Sequence, residues 1–302
     1  MTVSSRSAVR VRVPAKINLH LGVGPLRDDN FHDVASVFHA VSLVDELTLE
    51  PGPPGIRLIL EQPHTGVPVD RTNLAARAVQ MLADHVNIEP AVTIRLRKGI
   101  PVAGGMAGGS ADAAAALVAG DALWNLALPP ETLHALAARL GSDVPFALHG
   151  GDALGLGRGE QLTPLTHPYR RHWVLATARE GLSTPAVYAE FDRGGRTTAS
   201  DPAAVIKALD DPDPNALADA LTNDLQDAAL SLRPGLQQVL KAGKQAGALQ
   251  GIVSGSGPTC AFLAPDPERA EHIANRLRIA EVPGVSAVRV AHGSVEGARL
   301  CP

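Results

Sequence analysis

The 302-residue chain is 45% apolar and 19% charged, enough apolar material for a large core and too much for global disorder. Its 27 basic and 31 acidic residues leave a net charge of −4, and without a long basic run this argues against nucleic acid or an anionic membrane as partner. Cys260 and Cys301, the only cysteines, form neither a disulfide framework nor a metal-ligand set and fit a reducing cytoplasm. The first twelve residues lack the apolar stretch of a signal peptide, and no segment reaches the ~18 apolar residues of a membrane span, so a cytoplasmic location is expected. Aromatics make up only 3%, so each aromatic on a loop gains weight.

In chain order, Val9, Val11 and Val13 alternate with Arg10 and Arg12. After Pro14 the alternation resumes, with Ile17, Leu19, Leu21 and Val23 set against Lys16, Asn18 and His20. Two strands are predicted, and their period of two puts Lys16 and Asn18 on one polar face about 7 Å apart. Phe31 and His32 fall in a polar connector at 27–33. Further strands are expected at 36–44, 46–50 and 55–60. Asn73 has the place of a helix N-cap, with Leu74, Ala78, Met81 and Leu82 recurring behind it. A strand at 92–97 leads through Lys98 into a glycine-rich loop. Helices are predicted over the alanine-rich residues 110–126 and over 131–140, the second stopped by Gly141.

Five glycines within 150–159 mark a plausible end to a first domain. Beyond them a strand is predicted at 173–177, a polar loop at 194–199, and helices at 202–209, 215–227 and 234–247. A strand–turn–strand at 251–263, a helix at 267–279 and a strand at 285–291 close the chain. Strands mixed with helices in both halves predict an α+β (mixed α/β) protein of two domains, 1–157 and 158–302.

The loop reads Pro101-Val102-Ala103-Gly104-Gly105-Met106-Ala107-Gly108-Gly109-Ser110-Ala111. Glycine pairs let backbone N–H groups approach phosphate oxygens closely, and the helix that follows adds its positive end. Ser110 is placed to cap that helix or to reach a phosphate or Mg²⁺. The lysine of a Walker A loop is missing after Gly109, and the spacing of a dinucleotide fingerprint fails. On composition alone, a flexible strand-to-helix turn remains the competing interpretation.

Gly141-Ser142-Asp143-Val144-Pro145 follows the second helix of the first half. Asp143 is either a carboxylate able to take a hydroxyl proton or an N-cap with proline just inside the next helix. Lys16 is either a cation that neutralises charge at a reacting oxygen or a solvated lysine on a strand.

Taken together these segments resemble the superfamily of galactokinase, homoserine kinase, mevalonate kinase and phosphomevalonate kinase. The resemblance rests on Pro14-Ala15-Lys16-Ile17-Asn18-Leu19, Phe31-His32, Asp70-Arg71-Thr72-Asn73-Leu74, the glycine loop and Gly141-Ser142-Asp143-Val144-Pro145. Thr184-Pro185-Ala186-Val187-Tyr188 and Ser254-Gly255-Ser256-Gly257 complete it, all in family order. Within the superfamily the chain is similar to the branch acting on a cytidine diphosphate-linked methylerythritol in non-mevalonate isoprenoid synthesis.

That resemblance implies a two-domain kinase with its active site in the inter-domain cleft, ATP and Mg²⁺ as cofactors, and a monomer or weak homodimer. It implies Lys16 and Asp143 as the catalytic pair, residues 101–111 around the ATP phosphates and Asn73 near the adenine. Asn18, His32 and Thr184 would contact substrate, with Phe31 and Tyr188 stacking on its cytosine; no side-chain metal ligand is implied. The family's Gly-Tyr-His reads Asn30-Phe31-His32 here, Val102-Ala103 stand where glycine is often seen, and Ala111 replaces a second serine. The competing readings are a sibling kinase of homoserine or mevalonate type and a nucleotide-binding regulator without catalysis.

Overall fold

The computed structural model describes residues 8–195 and 198–301. Residues 1–7 of the N-terminal segment and residues 196 and 197 of the expected polar loop lie outside them. Two long strands open the chain, β1 (Val9–Leu26) and β2 (His32–Pro51), paired antiparallel from Val9↔Leu49 to Leu26↔His32. After them come β3 (Gly55–Leu60), α1 (Leu74–His85), β4 (Ala91–Arg97), α2 (Gly108–Trp124), α3 (Pro130–Leu140) and α4 (Val144–His149). Next are β5 (Asp152–Leu156), β6 (Gln161–Leu165), β7 (Arg171–Ala178), α5 (Thr184–Arg193), α6 (Ala203–Leu209) and α7 (Pro214–Ala220). The chain closes with β8 (Thr222–Asn223), α8 (Gln226–Leu232), α9 (Gly235–Ala246), β9 (Gln250–Val253), β10 (Cys260–Ala264), α10 (Pro267–Ile279), β11 (Val285–Gly293) and β12 (Arg299–Leu300).

The strands form one mixed, twelve-stranded sheet whose main path runs β12-β1-β2-β11-β7-β10-β9. One edge of β2 carries β1; the other is divided among β5 at residues 36–39, β11 at Val41 and β4 at 46–51. The α+β class follows. Each of the first two long strands replaces two shorter expected ones. Pro14 has no N–H for the ladder, but the pairing register shifts between Pro14 and Ala15, and at such a bulge a strand tolerates proline and continues.

Two other expectations change. Helix α2 begins two residues before the predicted start, so Gly108 and Gly109 belong to its first turn. The helix expected over 215–227 is broken into α7, β8 and α8. Asn223 breaks it: its side-chain amide donates to the carbonyls of Val253 and Gly255, both at 2.8 Å. The glycine-rich stretch 150–159 also holds a strand that was not expected there, β5. Within β5, Gly155 lies so near Phe38 that a Cβ would stand 2.4 Å from its ring.

Helix α2 is buried nearly all round by Ala111, Ala113–Ala116 and Ala119, which lets α1 approach closely. A Cβ on Gly120 would sit 2.6 Å from Leu82. On the far side, Phe262 of β10 fills the space between α9 and β9 left by Gly243 and Gly251. Cys260 is buried and unpaired, as is the half-buried Cys301 unpaired. Among the described residues no helix is long and apolar enough to cross a membrane.

Where the β2 edge changes partners, a polar chain crosses the core. Trp173 Nε1 donates to His39 Nε2 at 3.0 Å, so the His39 proton resides on Nδ1, which meets Asp152 Oδ1 at 2.6 Å. His167 Nε2 meets the other Asp152 oxygen at 2.8 Å. Burial works against the Asp152 anion, but the two imidazole N–H groups aimed at its oxygens outweigh it and hold the carboxyl below its usual range. Its stabilising contribution is therefore present at neutral pH and is lost only as pH falls below the ordinary carboxylate value. Asp152→Ala orphans two buried imidazoles and should lower the unfolding free energy by about 3 kcal/mol in urea titrations at pH 7; an unchanged midpoint would contradict this picture.

Candidate active site

A cavity of about 560 Å³ opens on the sheet, lined from both halves of the chain. Its floor is β1. Lys16, Asn18 and His20, on the polar face of that strand, are all buried, so the face is covered by protein instead of water. Lys16 Nζ donates to Asn18 Oδ1 at 2.7 Å, Asn18 Nδ2 donates to Ser36 Oγ at 2.7 Å, and Ser36 donates to the His20 carbonyl at 3.0 Å. This chain fixes Lys16 without spending all its donors. Its ammonium lies 3.7 Å from Asp143 Oδ2 and 5.5 Å from the Phe38 ring centroid.

Asp143 occupies the N-cap position of α4, yet its side chain makes no capping bond. Pro145 in the first turn offers no N–H, and the carboxylate faces Lys16 instead of the helix end. About a third of that side chain remains exposed, at 32%, so a ligand hydroxyl could reach it.

The glycine loop forms the opposite wall through Ala103, Gly104, Gly105, Ala107, Gly108, Gly109 and Ser110. Ala103 and Ala107 hold left-handed backbone at φ 51° and 58°, a strained choice for alanine. Helix α2 starts at Gly108 with no side-chain cap, so its first N–H groups have no intrahelical partner where the helix enters the cavity. The loop is fastened to the turn of the second half. Ser254 Oγ donates to the Gly105 carbonyl at 3.1 Å, and the Thr259 N–H to the Gly104 carbonyl at 3.3 Å.

Four expected loop residues stand back from the cavity wall. Met106 is buried, its carbonyl accepting from the Lys16 N–H at 3.3 Å. Ala111 is buried inside α2, and Pro101 and Val102 are partly exposed on the loop's approach. Asn73 also lies outside the lining: its Oδ1 caps the Ala75 N–H at 2.9 Å and its Nδ2 donates to the Pro68 carbonyl at 2.8 Å.

Of the expected substrate contacts, Asn18, Thr184 and Tyr188 line the cavity. Thr184 shares a 2.8 Å hydroxyl contact with Ser256. Burial, with the nearby Asp143 charge, pushes the Tyr188 phenol up to about 12, so it stays a donor at neutral pH. His32 is buried behind it, the ring centroids 5.0 Å apart, with Nδ1 on the Gly24 carbonyl at 2.8 Å. Phe31 is half-exposed and outside the lining; it stacks with Arg158, whose guanidinium lies 5.0 Å from the ring centroid and lines the cavity.

Sequence reasoning missed Arg158, Phe38 and a buried cluster under the loop. There Lys98 pairs with Asp45 and, at 2.6 Å, with Asp112. The available signal was a carboxylate, Asp112, in an otherwise apolar run of alanines. Burial pushes the Asp112 carboxyl up to about 8, with Lys98 opposing and Asp45 adding to the rise.

Two predictions follow from this geometry. A Cβ on Gly105, at φ 74°, would stand 2.3 Å from the Ser254 carbonyl oxygen, so Gly105→Ala should unseat the loop and weaken binding of a triphosphate in calorimetry at least about tenfold. Because the folded Asp112 holds its proton above the unfolded value, its contribution to stability is complete below about pH 4 and declines as pH rises to about 8. Asp112→Asn should flatten that decline in melting temperature; parallel curves for the two proteins would refute it.

Comparison with known proteins agrees with this geometry. Residues 73–151 match the N-terminal domain of GHMP kinases and residues 205–282 match the GHMP kinase C-terminal domain. A 4-diphosphocytidyl-2-C-methyl-D-erythritol kinase of Salinispora tropica is 54% identical, over 97% of this chain and 94% of its own. That of Mycolicibacterium smegmatis is 53% identical, over 98% and 93%. The crystal structure of a 4-(cytidine 5'-diphospho)-2C-methyl-D-erythritol kinase superposes with a TM-score of 0.77 at 32% identity, covering 93% of this chain and 98% of that one. The chain therefore belongs to the GHMP kinase family, among its 4-diphosphocytidyl-2-C-methyl-D-erythritol kinases.

Proposed function

We propose that the protein transfers the γ-phosphoryl group of ATP to the 2-hydroxyl of 4-diphosphocytidyl-2-C-methyl-D-erythritol, supplying isoprenoid precursors by the non-mevalonate route. The observation that carries this is the Lys16–Asp143 pair, 3.7 Å apart, facing a glycine loop at a helix start across one cavity. Phosphoryl transfer needs alignment and charge neutralisation more than covalent help from the protein, and both are built here from groups held in place before any ligand arrives.

In this reading the N–H groups from Gly108 to Ser110 receive the triphosphate and Asn73 steadies the helix beside the adenine. Asp143 orients the substrate hydroxyl and accepts its proton as the oxygen–phosphorus bond forms and ADP departs. Lys16 pairs with Asp143 and offsets the negative charge on the reacting oxygens. Asn18 acts through Lys16, whose ammonium it holds at 2.7 Å.

Tyr188 offers its ring to the cytosine, with His32 fixing the tilt of that ring from behind. Phe31 acts with Arg158 at the outer wall, and Thr184 binds at the cavity edge. The cleft then lies between a nucleotide-binding unit, 1–157, and a substrate-binding unit, 158–302. The described residues hold no group of three or more side chains suited to a metal ion. Mg²⁺ on a nucleotide takes most of its ligands from phosphate oxygens and water and only one or two from protein; Ser110 is a hydroxyl of the loop and Asp143 the carboxylate of the lining. When bound, the ion would supply charge neutralisation across the phosphates.

Asp143→Ala should lower kcat by about 10²–10⁴-fold while calorimetry still finds wild-type ATP affinity. Near-normal turnover in that variant would remove Asp143 from the chemistry.

A further inference from the structure

We propose that Lys98 is a positioning residue for nucleotide binding, fixing from beneath the loop the peptide groups at the start of α2; this rests on the phosphate-loop reading above. Lys98 is 3% exposed and does not line the cavity, so it acts through the loop. Its ammonium donates to three oxygens: Asp45 Oδ2, Asp112 Oδ2 at 2.6 Å and the Gly108 carbonyl at 3.3 Å. The other Asp45 oxygen accepts the N–H groups of Gly99 and Ile100 at 2.7 and 2.8 Å. One carboxylate thus holds both the cation and the backbone that enters the loop.

Gly108 is seated directly on this cluster. A Cβ there would meet Ile100 Cγ2 at 3.1 Å and Lys98 Nζ at 3.5 Å. The strand end, the loop's return and the first turn of the helix are therefore joined at a single ammonium. Charge decides between attraction and placement as its role. One lysine stands between two carboxylates, so the cluster is neutral or negative and offers phosphate no net attraction. What it supplies is position. A buried cation with both partners in place is rigid, and removing it would leave Asp45 and Asp112 facing each other in the core.

The test is ATP affinity by titration calorimetry on the full chain, beside thermal melting and the KM for the cytidylyl alcohol. Lys98→Met should weaken ATP binding about tenfold or more and leave the KM of the alcohol unchanged. Should that variant melt early, the triple variant Lys98→Met, Asp45→Asn, Asp112→Asn removes the buried charges together. It should recover wild-type melting yet still bind ATP about tenfold more weakly. Asp112→Asn alone keeps an acceptor for Lys98 and should bind ATP as the wild type does. Wild-type ATP affinity in a folded variant lacking Lys98 would overturn the proposal, as would an equal loss in Asp112→Asn. Because the readout is binding, a wild-type protein that binds ATP but phosphorylates no alcohol would defeat the proposed function and leave this inference standing.

Discussion

The β1–β2 ladder, with the free edge of β2 shared among three partners, is the constraint on which the rest of the molecule depends. Strand pairing fixes register to a single residue, since a slip of one would turn every side chain to the opposite face. Here that register places Lys16 and Asn18 on the cavity floor, His39 in the polar chain behind it and Asp45 beneath the glycine loop. Because β2 meets β4 at one end and β5 and β11 nearer its start, elements distant in sequence are registered against the same backbone. The second half reaches the site through this sheet, through β8 on β1 and through the turn that clasps Gly104 and Gly105.

Electrostatically the site follows one rule: charges that are buried are paired, and charges meant for chemistry are left partly open. Lys98 and Asp45 satisfy each other in the core, Asp152 is held by two imidazoles, and the Tyr188 phenol is kept neutral. Lys16 is buried but has spare donors, and Asp143 is its exposed counterpart. Asp143 stands at the N-cap of α4 without a capping bond, so its oxygens stay available to the cavity. Left-handed alanines at 103 and 107 store strain next to the cavity.

Much of this was legible in the sequence because period-two alternation and alanine density are local signals. The ends of β3, the N-cap at Asn73 and helix α10 needed no tertiary knowledge. The loop and the Lys16 and Asp143 motifs were likewise visible, and their order along the chain gave them meaning. What was hidden depends on contacts far apart in sequence. Strand β5 is masked by glycines that make room for Phe38. The break at Asn223 answers to carbonyls of Val253 and Gly255. Arg158 becomes part of the site only by folding over Phe31. Lys98 reads as an ordinary strand-end lysine until Asp45 and Asp112 are brought to it. Asn73 and Met106 show the reverse: their motifs are real, while their polar groups are occupied within the fold.

The central claim is that this cavity joins a triphosphate to a cytidylyl polyol. The most direct measurement is ADP release, with product mass, from purified full-length protein given ATP, Mg²⁺ and one alcohol at a time. The account predicts a singly phosphorylated product with 4-diphosphocytidyl-2-C-methyl-D-erythritol and turnover near background with homoserine or mevalonate. Turnover of homoserine or mevalonate equal to or above that of the cytidylyl alcohol would contradict it.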